Sequence, residues 1–312
     1  MLLNSPTPEE HLVPNTDLVV AEWRGNALSK DWRLFFGPAL ETLRLLEKAS
    51  VDCVVTSPPY FWLRDYGIED QLGHEETVEE HVNALSDVMD EIYRVLRPGG
   101  TLFLNISDTF YSGRGQPRAA DKKCSKRWIG LRATDRSGGM GIGLHCKSLI
   151  GTPWRVAIEM CRRKWILRSS IIWIKKNGCP EPKRDRPRRS YEFIFMFAKG
   201  RHYHFDRGGL PPDGPEDVWE IAPETRSAAA EPRTAPFPDE LVERCLAVGC
   251  PPGGTVLDPF CGSGTTLRVA LREGHDAIGI DLNREFCEFA VGSLVSLGQT
   301  EVVPPLVPFE QS

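Results

Sequence analysis

The stretch Thr255-Val-Leu-Asp-Pro-Phe-Cys-Gly-Ser-Gly-Thr-Thr-Leu-Arg-Val-Ala-Leu-Arg-Glu-Gly-His-Asp-Ala-Ile-Gly-Ile-Asp281 decides the fold. Its start, 255–257, reads as a short buried strand. A glycine-rich turn follows, then a helix over 266–273, a second strand over 277–280, and an acid at that strand's end. A strand that returns through a helix to another strand is the unit of a parallel sheet. The same alternation runs outward through the chain. Strands are expected at 32–37, 51–56, 101–106, 165–174 and 191–198, and helices at 39–48, 77–97, 153–164, 238–248 and 284–297. The helix over 77–97 has the clearest signal. Val78, Val82, Leu85, Val88, Met89, Ile92 and Leu96 form one stripe, Thr77 and Glu80 make a capping-box start, and Pro98-Gly-Gly stops it. The expected organisation is an arm over 1–30, one α/β domain over 31–298 and a tail over 299–312. Two stretches without periodicity, 107–149 and 207–233, are too long to be ordinary connections.

The glycine turn has three chemical readings. A phosphate-cradling loop needs a Gly-Lys-Ser/Thr end, and no lysine is present. A dinucleotide fingerprint needs a third glycine where Leu267 stands. The third ligand is S-adenosyl-L-methionine. Its amino-acid end would meet Asp258 and the turn Pro259, Phe260, Cys261, Gly262, Ser263, Gly264, Thr265 and Thr266. Its ribose hydroxyls would meet Asp281, because a carboxylate accepts two donors well. Cys261 reads as a small apolar filler of this turn.

A second element, Thr56-Ser57-Pro58-Pro59-Tyr60, ends the valine-rich strand at 51–56. Two prolines remove backbone donors and fix the turn, leaving carbonyls free to accept. Ser57 and the Pro58 carbonyl are placed to accept hydrogen bonds from one exocyclic amine, and Tyr60 offers a flat face to a planar base. An aromatic amine is a poor nucleophile because its lone pair is delocalised. Two acceptors on its hydrogens raise its electron density and aim the lone pair, which is catalysis by orientation and electrostatics.

Composition narrows the setting. The 312 residues are 41% hydrophobic with a net charge of −5. No apolar run is long enough to span a membrane, and the first residues lack the basic and apolar regions of a secretory signal. Nine cysteines without a C-x-x-C pair suggest a reducing cytoplasm and neither a disulfide framework nor a zinc ribbon. His202 and His204 read as packing or surface residues, and no metal site is expected. The charge is uneven: residues 114–201 hold 23 Lys and Arg against 6 Asp and Glu, and the rest holds 15 against 37. A basic middle block is a candidate polyanion surface. Its candidate phosphate contacts are Arg114, Arg118, Lys122, Lys123, Lys126, Arg127, Arg184, Arg186, Arg188 and Arg189.

With TSPPY and DPFCGSGTT in one chain, the sequence resembles the amino-methyltransferases of DNA. RVLRPGGTLFLNISD, KSLIGTPWRVA, IIWIKKN, RDRPRRSYEFIFMFAKG and TAPFPDELVERCL add to the likeness, which covers roughly 34–297. The order, TSPPY first and DPFCGSGTT last, is similar to the β-group of these enzymes. The resemblance implies a Rossmann-like methyltransferase fold with a mostly parallel seven-stranded sheet in permuted motif order. It also implies S-adenosyl-L-methionine as methyl donor, double-stranded DNA as partner, a flipped target base, and Ser57, Pro58, Pro59 and Tyr60 as the catalytic turn. Thr234 and Phe237 fall in a segment that lines the methionine pocket in the family. Ser at position 57 is the pattern associated with cytosine N4. Adenine N6 is the alternative, followed by an RNA or protein-glutamine substrate, and a non-catalytic DNA binder is the reading from another class. A C5-cytosine enzyme is excluded, because no cysteine follows a proline. The resemblance further implies a possible cognate restriction endonuclease, a monomer or homodimer, and a nucleoid-associated location. Two positions depart from the family pattern: Gly37-Pro38 stands where Gly-Asp is common, and Arg233 where His is common.

Overall fold

The computed structural model describes residues 21–63, 71–113, 133–134, 143–176, 184–224 and 237–298. Among the described residues nine strands form one sheet: β1 (Ala21–Ala27), β2 (Lys30–Phe36), β3 (Val51–Thr56), β4 (Leu96–Ile106), β5 (Ile166–Lys175), β6 (Tyr191–Ala198), β7 (Val218–Ile221), β8 (Thr255–Asp258) and β9 (Asp276–Asp281). The α-helices among the same residues are α1 (Ala39–Leu45), α2 (Val78–Val95), α3 (Thr152–Arg162), α4 (Asp239–Gly249), α5 (Thr265–Arg272) and α6 (Arg284–Val295). The strand order across the sheet is β1-β2-β9-β8-β3-β4-β6-β5-β7.

The expected seven-stranded, mostly parallel sheet is therefore corrected to nine strands of mixed direction. The centre, β2-β9-β8-β3-β4, is parallel throughout. The flanks carry the antiparallel pairings β1–β2, β4–β6 and β5–β6, while β7 joins β5 in parallel. The two extra strands lie where periodicity gave no signal. β1 begins at Ala21, inside the stretch read as an arm, and forms a hairpin with β2. β7 lies inside the acidic stretch 207–233; four residues are too few for alternation to register, and Trp219 and Ile221 are buried by the core cluster they join once β7 pairs with β5. His202 and His204, read at alternating strand positions, lie past the end of β6 in irregular backbone.

Alternation along the strands divides the core between the two faces. Cys53, Val55, Leu34 and Phe103 pack with α4, α5 and α6. Val54, Phe35, Leu102 and Leu104 pack with α1, α2 and α3. α2 starts as its sequence requires: Thr77 Oγ1 accepts from Glu80 N at 3.2 Å, and the Glu80 carboxylate accepts from Thr77 N at 3.0 Å. β3 leads toward α2 on one face, and β8 leads into α5 on the other. The chain thus departs to opposite sides from two neighbouring strands, which opens a crevice at their carboxyl ends.

Candidate active site

That crevice is a cavity of about 830 Å³. Into it come Ser57, Pro58, Pro59 and Tyr60 from the end of β3, Asp258 to Ser263 and Thr265 from the end of β8, and Asp281 from the end of β9. Two sequence elements far apart in the chain therefore share one pocket. They are also bonded to each other. Asp258 is 1% exposed, and its carboxylate accepts from Thr56 Oγ1 and Thr266 Oγ1, both at 2.6 Å, and from Phe260 N at 3.1 Å. Its oxygens are thus engaged with β3, the turn and α5 at once. Burial pushes the Asp258 carboxyl up to about 6, against the downward pull of the two threonine hydroxyls.

The glycine turn is built for close approach to its backbone. Gly264 caps α5 with φ +83, and a Cβ there would lie 2.9 Å from Ala290 Cβ. Both features demand glycine. Asp281 Oδ2 accepts from Gly262 N at 2.8 Å and Oδ1 from Asn283 N at 2.8 Å. The Asp281 carboxyl is also pushed up to about 6, first by burial, with the nearby Asp258 charge adding to it. Cys261 is buried and its thiol is pushed well above the usual range, as expected of a filler. Phe237 and Phe260 line the same cavity, and so do Asn283 and Phe286, which carry no motif signal. Pro38, where the family acid is missing, lines it too; three residues later Glu41, in the first turn of α1, brings a carboxylate to that part of the wall.

The other half of the cavity has a wall that the motifs do not announce: Asn105 from β4, Trp173 and Lys175 from β5, and Glu192 from β6. Ser57 Oγ lies 3.4 Å from the Tyr60 hydroxyl, which donates to Glu192 Oε2 at 3.3 Å. Asn105 Nδ2 donates to the same oxygen at 3.1 Å, and Lys175 Nζ donates to Glu192 Oε1. Glu192 follows from the antiparallel register that sets it across from Trp173. Its signal in the sequence was a charged residue in the otherwise apolar run YEFIFMFA.

Of the expected phosphate contacts, Arg184, Arg186, Arg188 and Arg189 precede β6, and all but the half-buried Arg186 are exposed. Arg186 stacks over Phe110 at 3.7 Å from the ring centroid, and Arg189 donates to the Asp108 carbonyl. The Asp108 carboxylate accepts from Gly151 N at 2.9 Å and Thr152 N at 3.2 Å at the start of α3. Phe110 and Leu149 form a bridge that closes the base of the long loop between β4 and α3. Arg114, Arg118, Lys122, Lys123, Lys126 and Arg127 lie outside the described residues, as do Arg233 and Thr234. Among the described residues there is no cluster able to hold a metal ion, and no helix is long and apolar enough to cross a membrane.

The geometry agrees with the comparisons to known proteins. The N6/N4 methyltransferase family model, described as DNA methylase, matches residues 51–292. The type II methyltransferase M.Cfr9I of Citrobacter freundii is 41% identical over 84% of this chain and 87% of its own length. M.XycI of Xanthomonas campestris pv. cyanopsidis is 43% identical over the same shares. Among solved structures, the PvuII cytosine-N4-specific DNA methyltransferase superposes with a TM-score of 0.64 at 20% identity, covering 83% of this chain and 85% of that one. A putative DNA modification methylase of Thermus thermophilus, in complex with S-adenosyl-L-methionine, gives 0.55 at 26% identity, over 84% and 93%. The fold is that of S-adenosylmethionine-dependent methyltransferases, with α5 capped by a left-handed glycine and the Asp281 carboxylate bonded to Gly262 N of the turn before it. With TSPPY and the glycine turn facing one cavity, the chain belongs to the N6/N4 DNA methylase family and uses S-adenosyl-L-methionine.

Proposed function

We propose that the chain methylates the exocyclic N4 of a cytosine flipped out of double-stranded DNA, as the modification half of a type II restriction–modification pair. One observation carries the reading: Ser57, an uncharged acceptor, lines the cavity that the glycine turn also lines. Ser at this position is the pattern that the family resemblance ties to cytosine N4. The type II names of the relatives support the pairing with an endonuclease that cuts the same site.

Bound S-adenosyl-L-methionine supplies an electrophilic methyl group. The remaining work belongs to the chain. Ser57 Oγ and the Pro58 carbonyl accept hydrogen bonds from the amine and turn the nitrogen lone pair toward the glycine-turn side of the cavity; once the methyl group is bonded, the nitrogen releases one proton to solvent. Tyr60 packs against the base, its hydroxyl tethered to Glu192. Asp258 positions the two halves through Thr56 and Thr266. Asp281 offers its carboxylate to the ribose, and Phe237 with the turn 259–266 encloses the cofactor. A base stacked in a duplex cannot reach such a pocket, so the target must leave the helix. Phosphates are held by the basic block, including Arg184, Arg186, Arg188 and Arg189, and base edges are read from the irregular stretches 107–149 and 207–233. Mass spectrometry of nucleosides from DNA treated with the purified protein tests the reading. N4-methylcytosine is expected; N6-methyladenine alone overturns it.

A further inference from the structure

In the β4–β5–β6 wall, one side chain among the described residues has hydrogen-bond donors to spare. Trp173 Nε1 gives its hydrogen to the Ile221 carbonyl at 3.0 Å. The two Asn105 amide hydrogens go to Glu192 Oε2 and to the Phe193 carbonyl, both at 3.1 Å. The Tyr60 hydroxyl hydrogen goes to Glu192 as well. The Lys175 ammonium carries three hydrogens and gives one to Glu192 Oε1. Its Nζ lies 4.7 Å from the centroid of the Trp173 ring, and it lines the cavity with Glu192 and Ser57.

The wall therefore presents an acceptor, Ser57, and a cationic donor, Lys175, linked through Tyr60 and Glu192. A base that satisfies both must carry an amine and, farther along the same edge, an acceptor. Cytosine runs amine, ring nitrogen, 2-oxygen. Adenine runs amine, ring nitrogen, carbon-bound hydrogen, and offers nothing at the third place. Glu192 neutralises the lysine, so that a neutral base does not face a bare charge, and fixes its position against Trp173.

We propose that Lys175 donates to the 2-oxygen of the target cytosine and that Glu192 holds it in place, which makes Lys175 a specificity-determining residue. The proposal rests on the cytosine-N4 reading above. A lysine that merely ties β5 to β6 would stabilise the fold without sensing the 2-oxygen, and this difference sets the test.

The modified site is first located by sequencing treated DNA. Duplexes carrying that site are then made with cytosine at the target, or with a 2-aminopyridine C-nucleoside, which keeps the amine and adjacent ring nitrogen and lacks the 2-oxygen. The unmutated protein is expected to lose about 10–100-fold in kcat/KM on the analogue, the usual worth of a hydrogen bond to a charged group. Lys175→Met should lose a similar factor on cytosine and then barely distinguish the two duplexes, with cofactor affinity unchanged in calorimetry. Glu192→Gln should narrow the discrimination part of the way. Equal rates of the unmutated protein on both duplexes overturn the proposal, and that arm decides even if Lys175→Met does not fold. Full discrimination retained by a folded Lys175→Met overturns it too. If the ordinary duplex yields N6-methyladenine, the cytosine reading itself has failed; if it yields N4-methylcytosine without discrimination, only the role of Lys175 has.

Discussion

The two halves of the cavity are built in opposite ways. The half proposed for the cofactor is nearly one continuous segment, from Asp258 through the glycine turn and α5 to Asp281, held by hydrogen bonds to its own backbone such as Gly262 N to Asp281. The half proposed for the base is assembled from four places, with Ser57 just after β3 and Asn105, Lys175 and Glu192 from β4, β5 and β6, joined side chain to side chain. Local backbone geometry forms a ligand turn wherever the segment folds. A wall of side chains exists only once the strands are in register. Substitutions should accordingly hurt binding of the cofactor in the first half and turnover or base choice in the second, and Asp258, which reaches both, should hurt everything.

Asp258→Ala is therefore the severest expected change. It leaves the buried Thr56 and Thr266 hydroxyls without their acceptor and should cost about 2–4 kcal/mol in denaturant unfolding. A cost below about 1 kcal/mol would break the claim that this carboxylate joins the halves. Ser57→Ala comes next. Turnover should fall about 100-fold while calorimetric cofactor affinity stays put, the pattern of a contact made only in the transition state. Equal losses in both would put Ser57 in the cofactor half. Asp281→Ala should show the reverse split, weakening cofactor binding by about 1–3 kcal/mol. Tyr60→Phe removes the tether to Glu192 yet keeps the ring, so a loss of about fivefold in turnover is expected, against roughly 1–3 kcal/mol for Tyr60→Ala, which removes stacking as well.

The mildest prediction concerns pH. Asp258 and Asp281 are both pushed up to about 6 in the folded protein, above the usual carboxylate value. Between that usual value and 6 the folded state binds more protons than the unfolded one. Their contribution to stability therefore falls as pH rises from about 4 to about 6, and levels off above. Denaturation of the ligand-free protein across this window, compared with Asp281→Asn, should show a flatter dependence in the variant. An unchanged slope would mean that Asp281 titrates as it does in the unfolded chain.

Legibility followed the same division. The core strand 51–56 and the strand 191–198 occur where their apolar runs place them, because a buried strand of this length has few other ways to hide such residues. The capping box at Thr77 located α2 within a residue of its start. The β1–β2 hairpin and β7 were not legible. Lys30 and Asp31 interrupt the first, and four residues in an acidic stretch conceal the second. Glu192 lies in a family-like stretch of the sequence but has no local sign of a role, since nothing near it in sequence says that Tyr60, 132 residues away, will donate to it.

What this sequence determined by itself is what depends on neighbours in the chain: the left-handed glycine that caps α5, the proline-stiffened turn after Thr56, the amphipathic stripe of α2, and from these the cofactor class. What only the tertiary structure decided is which strands lie side by side. β3 sits against β8, so that Thr56 meets Asp258, and β5 against β6, so that Lys175 meets Glu192. The reason is physical. A turn or a cap is set by the dihedral preferences of a few consecutive residues, whereas strand adjacency is set by burying both faces of the whole sheet at once, a condition no single segment contains.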